Sequence, residues 1–167
     1  MAEPQPMDRL QPCLLDRLIA DNPKEASGFR YYERYVSQQD YRRGVARDLE
    51  WLLNTRATLV VRGDPVRFRA RWRRAVSSVV NFGVVPFVGM SITRMDEVRE
   101  RIVEAIRRYE PRIIPSSLDV SVRKEDGNLS VRIRGFLWAN PVPESLDIRS
   151  RIDLETGHCT LSGGANG

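Results

Sequence analysis

Two periods of apolar residues divide the chain. From Ser37 to Thr55, the residues Tyr41, Val45, Leu49, Leu52 and Leu53 fall at steps of three and four, while Arg42, Arg43, Arg47 and Glu50 face away. That spacing predicts an amphipathic helix, with the Ser37 hydroxyl as its N-cap. A second helix is predicted on the stripe Met95, Val98, Ile102, Ala105, Ile106 and Tyr109. Thr93 is its N-cap, and Asp96 and Glu97 occupy the first turn, where anions suit the positive end of the helix dipole. Pro111 lacks a backbone donor and disfavours helical geometry at Glu110, so the helix ends there.

Beyond Pro111 the period changes from 3.6 to 2. Leu118, Val120 and Val122 alternate with polar neighbours, and Asp126-Gly127 marks a tight hairpin turn. Leu129, Val131, Ile133 and Leu137 line the return strand, followed by a loop from Asn140 to Pro143. Leu146, Ile148, Ile152 and Leu154 predict another strand, Thr156-Gly157 a turn, and Cys159 to Leu161 a short final strand. Helices followed by a meander with one buried face predict an α+β fold: N-terminal helices packed on a C-terminal antiparallel sheet of three to four strands.

The remaining segments are less regular. Cys13 to Ala20 reads as a helical turn or two, and Phe29 to Tyr35 is aromatic and basic without a period. Ala57 to Val61 suits a short strand. Arg67 to Val80 alternates in its first half and is compatible with helix in its second, and Gly83, Pro86 and Gly89 mark a loop. The expected organisation is a flexible lead at 1–12, one domain at 13–162 and a disordered tail at 163–167.

Charge adds a question. The sequence carries 27 basic and 22 acidic residues, and its net excess lies between Pro65 and Arg112, where eleven basic residues meet five acidic ones. Arg67, Arg69, Arg71, Arg73 and Arg74 concentrate it. Two readings stay open for this patch: a docking site for an acidic protein or nucleic acid, or a solvated arginine-rich face. No apolar run approaches the roughly 18 residues of a bilayer span, and the N-terminus lacks the form of a secretory signal. Cys13 and Cys159 have no metal-like spacing; one bridge between them is open, but reduced thiols are the expectation. A soluble, intracellular protein is expected.

Catalytic chemistry is sparse. One histidine, His158, excludes a multi-histidine metal site and weakens nucleophilic triads. No phosphate-cradling glycine motif occurs. Asp48 with Glu50, or Glu100 with Glu104, could in principle serve as paired carboxylates, but such pairs are ordinary on solvated helix faces. No catalytic, cofactor-binding or metal-binding residue is expected. One placement is odd: Glu110 lies at the C-terminal end of a helix, where the dipole disfavours an anion, and Arg112 follows across a proline. Two readings stay open on residue types alone: a specific partner, internal or external, or an ordinary exposed pair contributing at most about 1 kcal/mol, the second being favoured.

Four ordered blocks carry a family resemblance. Arg47 to Arg56 reads RDLEWLLNTR, Ser78 to Gly83 reads SVVNFG, Glu110-Pro111-Arg112 reads EPR, and Leu146 to Gly157 ends in IDLETG. Together they resemble the TssE proteins, wedge subunits of the type VI secretion baseplate and relatives of contractile-phage wedge proteins. The match departs after Gly83, where two valines precede Pro86 and Phe87 stands in place of an acid. The resemblance implies a structural, non-enzymatic role, with Glu110, Pro111 and Arg112 in the contact with the TssF and TssG wedge subunits. It further implies that the strand-rich part meets the first TssB/TssC sheath ring around the Hcp tube. The expected location is the cytoplasmic face of the inner membrane, with no membrane insertion. Neither cofactor nor nucleic acid is implied; a basic nucleic-acid-binding module and, more distantly, a muramidase are the alternatives.

Overall fold

A computed structural model describes residues 10, 13, 37–57, 73–76, 78–84, 95–125, 127–139 and 142–162. The predicted turns at Cys13 to Ala20, the basic stretch up to Trp72, Pro86, Gly89, Thr93, the lead and the tail lie outside these residues, except for Leu10 and Cys13.

The first predicted helix forms as α1, Gln38–Asn54, and the Ser37 hydroxyl accepts from the Asp40 amide at 3.1 Å. Its apolar stripe is buried, with Gly44 beside it. In the ambiguous stretch a short helix α2, Arg73–Val76, leads to a 3₁₀ turn at Val79–Asn81. The second predicted helix forms as α3, Met95–Tyr109, and stops before Pro111. The sheet has four antiparallel strands in meander order: β1 Asp119–Glu125, β2 Asn128–Leu137, β3 Glu144–Ile152 and β4 Cys159–Ser162. This is the expected α+β arrangement.

Leu154 corrects one expected boundary, since β3 ends at Ile152. The Asp153 carboxylate accepts from the Glu155 and Thr156 amides at 2.7 and 3.0 Å, which bends the chain into a turn. Leu154 packs, partly buried, against the edge of the core. Gly157 then closes the turn at a φ of 72°.

Both long helices lie on one face of the sheet, α3 against β1 and α1 against β4. Leu49, Leu52, Ile102 and Ile106 meet Val131, Ile133, Ile148 and Ile152, all essentially inaccessible to solvent. Burying each such side chain contributes about 1.5–3 kcal/mol. Gly83 allows a second approach. At φ 120° it lets Val84 exchange hydrogen bonds with Thr55 and Ala57, and a Cβ there would lie 2.3 Å from the Thr55 carbonyl oxygen.

Candidate functional site: the Glu110-Pro111-Arg112 corner

The chain turns from α3 into the sheet at Glu110-Pro111-Arg112. The Glu110 amide still bonds to the Ile106 carbonyl at 2.9 Å, so Glu110 continues the helical hydrogen bonding although Pro111 stops the helix. Its side chain turns inward and is 4% exposed. Three donors from Arg112 meet it: the backbone amide at 3.1 Å and Nε at 2.7 Å, both on Oε1, and Nη2 on Oε2. The anion placed against the helix dipole is therefore held by a cation two residues away. Glu110's partner is internal.

The same guanidinium ties the corner to α1. Arg112 Nη2 donates to Asp48 at 2.6 Å, and Asp48 also accepts from Arg47 at 2.8 and 3.0 Å. Burial works against Arg112's charge, but its hydrogen bonds and charge contact with Glu110, and then with Asp48, outweigh burial and raise its pKa. Tyr41, about two helical turns before Asp48, donates to the Trp138 carbonyl at 3.2 Å. Trp138 in turn donates its amide to the Arg112 carbonyl at 2.7 Å. A buried carboxylate tied this way to partly buried charges fixes one geometry, because each lost bond leaves a polar group short of a partner.

Outside this ring the surface is apolar. Pro111 is exposed, and Phe136, Val142 and Trp138 are 50%, 64% and 68% exposed at the adjoining end of the sheet. A rigid charged ring thus underlies an apolar corner, an arrangement suited to protein contact and lacking an acid–base pair aimed at a cleft.

A second junction locks α1 to the sheet. The Asn54 amide donates to the Cys159 carbonyl and accepts from the Cys159 amide, each at 2.8 Å, and Glu50 accepts from the Leu161 amide at 3.4 Å. Near the end of α3, the Tyr109 hydroxyl donates toward the Asn81 and Ser78 carbonyls at 2.7 and 3.2 Å. The RDLEWLLNTR and SVVNFG blocks therefore contain residues that fasten the helices, to the sheet and to the 3₁₀ turn.

The sequence is described by a known family: baseplate wedge protein gp25 matches over residues 39–142. The chain belongs to the baseplate wedge protein gp25 family. No curated protein and no solved structure matches it. The matched span holds the first three blocks and the whole charged ring, while the Leu146 to Gly157 block lies beyond it. Membership brings a structural role in the baseplate of a contractile injection machine, in association with other baseplate subunits.

Against the family's wedge role, the other sequence candidates fall into place as follows. Asp48 belongs to the ring, and Glu50 bonds β4. Glu100 and Glu104 lie on the outer side of α3, where Glu104 pairs with Arg108 at 2.8 Å. His158 is exposed in the last turn. Cys13 and Cys159 are thiols not joined in a disulfide, and Cys159 meets the Ser150 hydroxyl at 3.0 Å. Among the described residues no cluster of three metal-ligating side chains occurs, and no helix is long and apolar enough to cross a membrane. Sequence reasoning missed Asp48 as Arg112's partner, yet a signal existed. Asp48 stands three residues after Val45 and four before Leu52, an acid on the buried stripe of α1.

Proposed function

We propose that the chain is the wedge subunit of a type VI secretion baseplate, holding the TssF/TssG wedge to the first TssB/TssC sheath ring and helping sheath assembly to start. In this reading Glu110, Pro111 and Arg112 form the partner-binding corner. Glu110 and Arg112 set its shape from within, and Pro111, with the aromatic surface beside it, makes the contact. The observation that carries the reading is the internally satisfied charged ring beneath an exposed apolar corner, within the span that defines the family. The protein acts at the cytoplasmic face of the inner membrane and turns over no substrate.

The β1 edge supports the sheath contact. Asn54 turns the Cys159 amide and carbonyl away from β3, so the strand register sends the Val120, Val122 and Lys124 amides away from β2. An edge of this kind accepts a strand from another chain.

Copurification of the tagged chain with TssF and TssG tests the reading. Wild type is expected to retain both, and Pro111→Arg with Trp138→Ser is expected to lose them at an unchanged melting temperature. Full retention by this variant would sink the corner as the contact. Failure of wild type to retain either protein would sink the assignment itself.

A further inference from the structure

Strand alternation gives the sheet an outer face, opposite α1 and α3. The final third of the chain is close to neutral, with six basic and seven acidic residues from Ile113 onward. The fold sorts them unevenly. Alternation puts Arg123, Arg132, Arg134, Arg149 and Arg151 on the outer face of the strands with Asp119, Glu125 and Asp147, whereas Glu144 faces the helices and pairs with Arg42 at 3.4 Å.

Register then decides which charges are answered. Asp119, Arg134 and Asp147 share one row across the strands. Asp147 takes Arg132 Nε at 2.9 Å, and Asp119 takes Arg134 at 2.6 Å. The next rows toward the β1–β2 turn hold Arg132 with Arg149, then Arg123 with Arg151, separated by Ser130. None of Arg123, Arg149 and Arg151 forms an ion pair among the described residues. Neighbouring strands are about 4.8 Å apart and alternate residues about 7 Å along a strand. Three cations without an ion pair are therefore held within roughly a Debye length of one another, offset only by the charge of Asp147 near Arg149 and by Glu125 two residues beyond Arg123 on the same face. Their backbones are locked in the ladder, so repulsion is relieved by an incoming anion.

The other end of the face is apolar. Phe136 follows Arg134 on the same side of β2, and exposed Trp138 comes just past the strand end. Arg132 to Phe136 spans about 13 Å of strand. One segment, helical or extended, can reach both ends. The aspartates between them would repel a continuous phosphate backbone but suit hydrogen-bond donors of a protein.

We propose that the outer sheet face docks an acidic segment of a neighbouring baseplate protein, seating an apolar side chain at Phe136 and Trp138 and carboxylates against Arg123, Arg149 and Arg151. The inference rests on the baseplate reading and extends its contact at Pro111 and Trp138 across the outer face of the sheet, adding the chemistry of the occupant.

The test uses the full chain coexpressed with the baseplate wedge proteins and treated with nuclease before capture. Arg149→Glu with Arg151→Glu is expected to lower retention of the wedge proteins at least about tenfold, because like charges then face each other. Arg149→Lys with Arg151→Lys is expected to retain them. Arg99→Glu with Arg107→Glu, the same charge change on the exposed side of α3, is the control and should bind as wild type. If the reversal variant melts lower than wild type, Arg149→Gln with Arg151→Gln replaces it, with the same direction of loss expected. Undiminished binding by the reversal and glutamine variants overturns the proposal, and so does equal loss in the α3 control. Wild-type binding that disappears with nuclease makes the occupant a nucleic acid, which also overturns it. A wild-type chain that never enters the complex removes the baseplate reading and this inference together.

Discussion

Glu110 shows what a single side chain can and cannot announce. Its position at the negative end of α3 was legible as an anomaly that a cation or another partner could answer. That the cation is Arg112, turned inward, was half legible from the two-residue spacing across Pro111. Asp48, the third member, lies in another helix, and only tertiary packing brings it within 2.6 Å of Arg112. The geometry predicts a stability effect. Glu110→Gln leaves the partly buried Arg112 with one carboxylate fewer, Asp48 remaining, and is expected to lower stability by about 1–3 kcal/mol, the cost of weakening a buried charge-assisted hydrogen bond. Chemical denaturation measures it, and a loss below about 1 kcal/mol would place the pair in the class of exposed bridges. Tyr41 offers a pH test of the same site. Burial chiefly raises its pKa above 10, with Arg112 opposing and Glu110 adding. The unfolded chain then releases this proton first, so the stability it carries is intact below about pH 10 and falls as pH rises beyond that. Tyr41→Phe should flatten the alkaline decline in thermal melts between about pH 9.5 and 11 relative to wild type.

At the level of elements, hydrophobic period was a sufficient guide wherever a helix or strand buries one face. The stripes of α1 and α3 and the alternation of β1 to β3 follow from that alone. Leu154 escaped it because apolar periodicity carries no information about the Asp153 turn, whose hydrogen bonds end the strand first. The α1–β4 junction escaped it too, since Asn54 reads as an ordinary helix terminus until Cys159 is beside it. Asn54→Ala is expected to cost about 1–3 kcal/mol, because the Cys159 amide and carbonyl lose their partners in a mostly buried position. Hydrogen exchange checks the mechanism as well as the size: the Cys159 amide should exchange much faster, while the amides of β2 keep their protection relative to global unfolding. Uniform acceleration across the sheet would mean that Asn54 has no local role.

For the whole molecule, net charge along the chain and charge on a surface are different quantities. The sequence concentrates the excess in the middle third, around Arg67 to Arg74, most of which lies outside the described residues, whereas among the described residues an arginine array comes from a nearly neutral segment sorted by alternation. The proposed strand pairing with the sheath belongs to this scale as well. Lys124 is exposed, and its amide points off the β1 edge, so Lys124→Pro removes a donor without breaking the ladder to β2. Sheath assembly in cells is expected to fall strongly with Lys124→Pro and to stay near wild type with Lys124→Ala; equal assembly with both would sink strand addition at β1. The Asn54 clamp has a consequence here too. By occupying the outward-facing amide and carbonyl of Cys159, it gives the sheet a stoppered side and a receptive one. A subunit with two receptive sides could be threaded into a fibre of its own kind, copy after copy. One stoppered at β4 can hold the first link of a chain and can never become the middle of it.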